Sequence, residues 1–126
     1  MYTPHSLGKQ GEALAAEYLT GRGYRLVCRN YRFFRNEIDI IASCREALCF
    51  IEVKTRASLE KGHPAEAVTP QKQKEIIRAA KAYLAALGQP DTTCRFDVIA
   101  ILAHGFENGR ITACEIEHIP AAFLAE

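Results

Sequence analysis

The chain has 126 residues, of which 48% are hydrophobic and 25% are charged, and this composition is typical of one globular domain. No apolar run is long enough to span a bilayer and no basic-then-apolar leader opens the sequence, so we expect a cytoplasmic protein without membrane contact. The five cysteines are scattered without a C-x-x-C pair, which argues against a zinc ribbon or a redox motif and favours free thiols.

The net charge of +1 conceals an uneven distribution along the chain. Residues 1 to 95 contain 15 of the 16 Lys and Arg residues but only 10 of the 15 Asp and Glu residues. The remaining 31 residues therefore contain one base and five acids. A basic first part of this kind favours a polyanionic partner.

Hydrophobic periodicity and turn signals predict two helices and five strands. In chain order the elements are a helix over 6–22, strands over 24–31, 37–42 and 47–54, a helix from Thr69-Pro70 to about Leu87, and strands over 94–102 and 110–118 around Asn108-Gly109. The order α-β-β-β-α-β-β has no linker or repeat. It predicts a single α/β domain over residues 1–126, with a mixed central β-sheet flanked by helices.

The first helix is predicted to begin at Ser6 as its N-cap. Gly11 lies on its apolar face, and a glycine inside a helix costs about 1 kcal/mol relative to alanine. We therefore expect the helix to approach the sheet closely at Gly11. Glu12 lies on the flank of the same face, where its carboxylate could reach the sheet.

Charged and apolar residues alternate in two neighbouring predicted strands, Glu37–Ile41 and Phe50–Lys54. A four-residue loop over 43–46 would join them as a hairpin, with residue 42 paired with residue 47. In this register Glu37 would face Glu52, and Asp39 would face Phe50.

One face of this hairpin would carry three carboxylates and a lysine, namely Glu37, Asp39, Glu52 and Lys54. Like charges opposite each other destabilise a sheet by some tenths of a kcal/mol, so we expect a compensating divalent cation. Carboxylates on rigid strands are typical ligands of Mg²⁺ or Mn²⁺, and such a site suits phosphodiester chemistry. Lys54 could position or deprotonate the attacking water, or stabilise the transition state. The alternative is a hairpin whose charged face is simply solvated.

These residues resemble the PD-(D/E)-x-K nuclease signature, because Asp39 precedes Glu52-Val53-Lys54 and Glu12 lies on an N-terminal helix. The wider pattern resembles the uncharacterised YraN-type family, which is similar to archaeal Holliday-junction resolvases. The matching segments cover nearly the whole chain: Gly8–Glu12, Tyr18-Leu19, Gly23-Tyr24, Asn30–Arg32, Glu37–Ile41, Phe50–Arg56, Ala67-Val68, Lys72, Tyr83-Leu84 and Arg95–Val98. Asn36 stands where the family usually has glycine, and we expect a left-handed turn there.

The resemblance implies a restriction-endonuclease-like fold and a Mg²⁺-dependent (or Mn²⁺-dependent) endonuclease that acts on DNA. Branched DNA and repair or recombination intermediates are its expected substrates. It implies that Glu12, Asp39 and Glu52 are metal ligands or catalytic acids and that Lys54 is the catalytic lysine. Junction-resolving relatives work as homodimers. Two alternatives remain, a nucleic-acid-binding module of the same fold with little or no catalysis, and an interaction protein with an incidental charged hairpin.

Basic residues around the predicted site are candidates for phosphate contacts. Arg56 is the best placed of them because it follows the catalytic strand, and the others are Arg32, Arg35, Lys74 and Arg78. The arginines could equally form the exposed face of the first strand. Three aromatic residues in the same region could stack on bases, but we favour the core for all of them: Tyr31, Phe33 and Phe34.

Two further groups of polar residues lie outside the predicted catalytic set, although His63, in the loop after the catalytic strand, could approach the substrate. Asp97 lies in an apolar strand and would be costly to bury unpaired, so we expect it to pair with Arg95 or a neighbouring strand. The histidines share no spacing that indicates a metal site, and all four are predicted to be loop or surface residues: His5, His63, His104 and His118.

Overall fold

A computed structural model describes residues 2–45 and 47–125, which form a five-stranded mixed sheet flanked by two helices. The elements are α1 (Pro4–Gly21), β1 (Arg25–Phe33), β2 (Asn36–Cys44), β3 (Ala47–Arg56), a short 3-10 helix (Pro64–Ala67), α2 (Pro70–Ala86), β4 (Cys94–Glu107) and β5 (Arg110–Phe123). The predicted order and the mixed central sheet are confirmed, and the architecture is consistent with a restriction-endonuclease-like fold. Among the described residues, no helix is both long and apolar enough to cross a membrane.

The strands lie in the sheet in their sequence order, β1-β2-β3-β4-β5. β3 and β4 are the parallel pair, and the other neighbouring strands are antiparallel. A parallel pair needs a connection that returns the chain to the starting edge, and α2 lies in that connection. This arrangement makes β3, which carries Glu52 and Lys54, a central strand of the sheet.

Both faces of the central strands are covered. Leu19 of α1 packs with Ile51 on one face, and Ile76 of α2 packs with Phe50 on the other. Residues 38–42 of β2 and 49–53 of β3 are buried without interruption. Any polar side chain at these positions is therefore held in a rigid, largely dehydrated frame.

The helix boundaries follow from their caps. Thr3 caps α1, since its hydroxyl accepts a hydrogen bond from the Ser6 N–H at 3.0 Å, so the prediction of Ser6 as N-cap was wrong. The predicted start of α2 is confirmed, because Thr69 accepts a hydrogen bond from the Lys72 N–H at 3.2 Å. Leu87, where the helix was predicted to end, is the C-cap of α2 and is 50% exposed.

The β2–β3 hairpin has a tighter turn than predicted. Cys44 pairs with Ala47 and Ile40 pairs with Ile51, so the register differs by two residues from the predicted one. The predicted pairing of Asp39 with Phe50 was therefore wrong, because Phe50 pairs with Ile41. A shift of two residues does not by itself change the face of a side chain. The alternation is nevertheless interrupted at Asp39, because Ile38 packs in the same cluster as Phe50 and Ile40 packs in the cluster of Ile51 on the opposite face.

The turn between β1 and β2 also differs from the expectation. Asn36 lies in β2, paired with Phe33, and the left-handed backbone falls instead on Phe34, whose φ is 55°. Phe34 is 86% exposed, so its predicted place in the core was wrong. Tyr31 and Phe33 are partly buried and pack against the core on the α2 face, as predicted.

Candidate active site

Asp39 lies where the β2–β3 pairing ends. The last pair of the ladder on this side is Ile40 with Ile51, and Asp39 occupies the next position of β2. Its Oδ2 accepts a hydrogen bond from the backbone N–H of Val53 at 2.8 Å. The carboxylate thus satisfies a β3 donor just beyond the end of the ladder, and it is only 8% exposed.

Glu12 reaches this carboxylate from α1 because the helix packs closely against β3. A Cβ atom on Gly11 would overlap the hydroxyl of Thr55, so only glycine allows this approach without a shift, as predicted. Carboxylate oxygens of Glu12, Glu37 and Asp39 all lie within 4.8 Å of one another. The structure therefore brings together Glu12 and Asp39, two of the predicted site residues. Glu37 belongs to the same group of carboxylates.

Glu52 is not one of these three grouped acids, but its carboxylate adjoins that of Asp39 and it is 3% exposed. Its Oε2 is 3.2 Å from the Nζ of Lys54 and 3.7 Å from the Nζ of Lys72. Its Oε1 is buried and has no hydrogen-bond partner among the described residues. An orphaned buried carboxylate oxygen is unusual, because leaving such an atom unpaired costs free energy.

The raised pKa of Asp39 reflects its burial close to other carboxylates. Burial raises the pKa of Asp39 well above its ordinary value, and the neighbouring charges of Glu52 and Glu12 raise it further. The hydrogen bond from Val53 opposes this shift but does not cancel it. A bound cation would stabilise the ionised form. The donor set, which consists of hard carboxylate oxygens, fits Mg²⁺ or Mn²⁺.

The alternative of a solvated hairpin face is wrong. Asp39 and Glu52 are both buried, and Phe50 on the adjacent part of β3 is completely inaccessible. Alternating charge on a half-exposed sheet would leave these carboxylates in water. The polar face is covered around Asp39 and Glu52, and it is partly open at Lys54 and Lys72, whose side chains are 25% and 29% exposed.

The predicted phosphate-binding residues occupy three places. Arg32 lies 3.6 Å from Glu37 with its side chain 71% exposed, and Arg35 is exposed in the β1–β2 turn. Arg56 follows Lys54 on β3 and donates to the carbonyl of Thr55. Lys74 and Arg78 are exposed on α2. We call the group of Glu12, Glu37 and Asp39 the acidic cluster, and Arg32 pairs with Glu37 across the β1–β2 ladder.

A cleft of about 390 Å³ lies beside the end of β3. Its wall includes Tyr2 and Leu7 on the α1 side, and Thr55, Arg56 and Lys61 on the β3 side. The buried hydroxyl of Thr55 has no hydrogen-bond partner among the described residues. The cleft thus adjoins the strand that carries Glu52 and Lys54, and its charged lining residues are Arg56, Lys61 and Glu60.

Two residues at the site were missed as site residues at the sequence level. Asn30 has a φ of 54° and donates from Nδ2 to Glu12 at 3.0 Å and to Glu37 at 3.4 Å. Lys72 reaches Glu52 from the first turn of α2. An asparagine inside a strand is an available signal, since asparagine tolerates positive φ. Lys72 had no comparable signal, because its role depends on where α2 crosses β3.

A second buried carboxylate, Asp97, is fully inaccessible and has partners on both oxygens. Arg95 donates to Oδ1 at 2.9 Å and to Oδ2 at 2.7 Å, and the Ala121 N–H donates to Oδ1 at 3.0 Å. The Nε2 of His118 lies 2.8 Å from Oδ2. The pairing with Arg95 is confirmed, but the prediction of His118 as a surface residue was wrong, because its side chain is 9% exposed.

The pKa of Asp97 shifts in the opposite direction from that of Asp39. Burial acts to raise it, but the hydrogen bonds from His118, Arg95 and the backbone outweigh burial and lower the pKa to about 2. This carboxylate is therefore ionised and satisfied by the chain itself. It needs no external cation.

Comparison with known proteins finds one family throughout. The model of a family described as "Uncharacterised protein family UPF0102" matches residues 11–101. A UPF0102 protein of Chlorobium limicola is 65% identical over 125 residues, which cover 99% of this chain and 97% of that protein. A UPF0102 protein of Chlorobium phaeobacteroides strain BS1 is 63% identical and covers 98% of each chain. A more distant one, of Symbiobacterium thermophilum, is 50% identical over 75% of this chain and 80% of that protein.

Proposed function

The chain belongs to the uncharacterised protein family UPF0102, and we propose that it is a metal-dependent endonuclease that hydrolyses phosphodiester bonds in DNA. The observation that carries this proposal is the state of Glu52, which is 3% exposed with an unpartnered oxygen. Its carboxylate adjoins Asp39, whose pKa is raised by burial and by Glu52. Two carboxylates that share a buried place cannot both be ionised at low cost, so Asp39 is favoured in its protonated form unless a cation binds with it.

Asp39, Glu52 and Glu12 are the residues that would hold Mg²⁺ or Mn²⁺, and Glu37 is an additional candidate because it lies within 4.8 Å of two of them. Such an ion, when bound, polarises a phosphoryl group and a water molecule. Asn30 holds the Glu12 carboxylate in place through its hydrogen bond at 3.0 Å. These groups belong to one helix and three strands, so little reorganisation is needed on binding.

Lys54 is the residue that we assign to the reacting phosphate. Its ammonium is 3.2 Å from Glu52 and partly exposed, so it lies between the buried acids and solvent. In this position a lysine can orient the attacking water and stabilise the negative charge that develops on the phosphoryl oxygens. The Nζ of Lys72 lies 3.7 Å from the same oxygen of Glu52.

Positive charge near the site supports the substrate class that we propose. Arg32 lies 3.6 Å from Glu37, Arg35 is exposed in the adjoining turn, and Arg56 lies two residues beyond Lys54. Such charge favours a phosphate backbone, and branched or recombination intermediates are the form of DNA that we propose. A homodimer would supply two sites for paired cuts. Because the acids repel phosphates, binding near Asp39 should require a divalent ion. A module that only binds DNA would gain nothing from these buried carboxylates.

The test is a cleavage assay with Mg²⁺ or Mn²⁺ on linear, flapped and four-way-junction DNA. We expect the wild type to nick at least one of these. Asp39→Asn and Lys54→Met should each lose about 100-fold or more of the rate, the scale of a lost general acid or base. Lys81→Met, on the exposed side of α2, is the matched control and should keep the wild-type rate.

Two results would contradict the proposal. The first is that the wild type nicks none of the DNA substrates that Asp39→Asn and Lys54→Met leave intact. The second is equal nicking by all four proteins, which would indicate a contaminating nuclease. If the protein does not cleave but binds DNA with a steep dependence on salt, the nucleic-acid-binding alternative replaces the endonuclease.

A further inference from the structure

The tip of the β1–β2 hairpin carries an aromatic side chain that folding does not account for. Phe33 and Asn36 form the last pair of the hairpin, so Phe34 and Arg35 make the turn. The Phe34 side chain is 86% exposed, more than any other large hydrophobic residue described. Its burial therefore contributes almost nothing to the stability of the fold.

The backbone at Phe34 is also unfavourable for its residue type. A φ of 55° lies in the left-handed region, which glycine and asparagine adopt readily and bulky residues rarely do. The β4–β5 turn shows the ordinary solution, with Asn108 and Gly109 at its positive-φ positions. A strained and exposed phenylalanine at a turn is an outlier of the kind that accompanies function.

The ring of Phe34 is held in place rather than loose. Phe33 packs against the core on the α2 face, and its ring contacts that of Phe34 edge-on, with 4.6 Å between centroids and 67° between planes. Arg32 and Arg35 flank the tip, and both are exposed. Glu37, three residues beyond Phe34, belongs to the acidic cluster. The ring thus projects from the hairpin tip, with an arginine close to it on either side in the sequence, and one of these, Arg32, lies 3.6 Å from Glu37 of the acidic cluster.

We propose that Phe34 is a stacking platform for an unpaired base of the nucleic acid, with Arg32 and Arg35 contacting the phosphates on either side. This inference rests on the proposed function. Aromatic rings bordered by positive charge are the usual means of binding single-stranded nucleic acid, because every base has a face on which a ring can stack. A fully paired duplex hides those faces, so Phe34 selects flaps, branch points and frayed ends. A second copy of the chain is disfavoured as the occupant, because two such tips would bring four arginines together.

The test measures binding to two DNAs of equal length, a paired duplex and a flap with 2-aminopurine at its first unpaired position, with Ca²⁺ present. Wild type and Phe34→Trp should bind the flap more tightly than the duplex, and both should quench the fluorescence of its 2-aminopurine. Phe34→Gly should weaken flap binding about 10-fold, the scale of one lost base-stacking contact, and change duplex binding by less than about twofold. Glycine suits the positive φ, so this variant should unfold at the same temperature as the wild type or a higher one.

The inference is overturned if Phe34→Gly binds and quenches the flap as the wild type does. It is also overturned if Phe34→Gly converts a dimer to a monomer in sedimentation and leaves flap binding unchanged. Cleavage separates this inference from the endonuclease proposal. A wild type that nicks DNA while Phe34→Gly keeps the flap preference refutes the stacking role alone. A wild type that never nicks, but loses its flap preference in Phe34→Gly, refutes the endonuclease alone.

Discussion

Two buried aspartates in neighbouring parts of the same sheet have opposite environments. Asp97 receives hydrogen bonds from Arg95 and Ala121 and contacts His118, and its pKa is lowered to about 2. Asp39 receives one backbone hydrogen bond and lies among other carboxylates, and its pKa is raised. Both are nearly inaccessible, so burial of an acid does not by itself indicate a functional site. The partners of its oxygens distinguish a structural acid from one that needs a ligand.

The largest expected effect is on the Asp97 side of this comparison. Arg95→Met would keep the length of the side chain and remove the cation that contacts both oxygens of Asp97. Breaking one partner of a buried ion pair costs about 3–5 kcal/mol, because it leaves the other charge uncompensated. Urea unfolding at pH 7 should show a loss of that size. A loss below about 1 kcal/mol would mean that Asp97 is as poorly satisfied as Asp39.

Gly11→Ala tests whether the acidic cluster depends on the close approach of α1. The new methyl group would overlap the Thr55 hydroxyl, and overpacking of this kind costs about 1–3 kcal/mol. The displaced helix would also move Glu12 from Asp39 and reduce the rise in melting temperature that Mg²⁺ produces. Gly8→Ala on the same helix meets nothing within 4 Å and should instead stabilise by up to about 1 kcal/mol. Equal effects of the two variants would contradict this dependence.

The pH dependence of stability should report the lowered pKa of Asp97. Between its ordinary value of 3.8 and about 2, the folded state binds fewer protons than the unfolded state. Its contribution is therefore complete above about pH 5 and is lost as the pH falls toward 2, with a total of about 2 kcal/mol. The stability difference between wild type and Asp97→Asn should shrink by about this amount over that range. A difference that stays constant with pH would show that the folded-state pKa is not lowered.

Asp39→Asn should change the free energy of unfolding in the opposite direction from Asp97→Asn. Because the pKa of Asp39 is raised to about 8, folding at neutral pH without a cation requires this carboxyl to take up a proton that it does not hold in the unfolded chain, which destabilises the fold. An amide of the same shape has no such cost and can still accept the Val53 hydrogen bond, so the free energy of unfolding in EDTA should rise by about 1 kcal/mol or more. Destabilisation in EDTA would mean that the acids are satisfied without a ligand.

The sequence predicted the elements better than the distances between them. The periodicity of the strands and the cap of α2 are local signals, and the structure confirms the predicted order of the helices and strands. The alternation of charge also predicted that Glu52 and Lys54 share a face, which a two-residue error of register leaves unchanged. Gly11 predicted the approach of α1, because a glycine on an apolar helix face lowers helix stability unless close packing requires it.

The rest depends on contacts between residues far apart in the chain. Lys72 contacts Glu52 only because of the angle at which α2 crosses the sheet, and His118 is buried because β5 places it beside Asp97. The exposure of Phe34 followed from a turn that formed two residues earlier than Asn36 suggested. Neither periodicity nor spacing contains this information.

The most direct test of the central claim is a calorimetric titration of Mn²⁺ into wild type, Asp39→Asn and Asp97→Asn, at a temperature where circular dichroism shows all three to be folded. We predict that wild type and Asp97→Asn bind the ion with similar affinity and that Asp39→Asn binds it at least about tenfold more weakly, since it loses a charged oxygen ligand. Undiminished binding by Asp39→Asn, or no binding by the wild type, would contradict the assignment of the acidic cluster as a metal site.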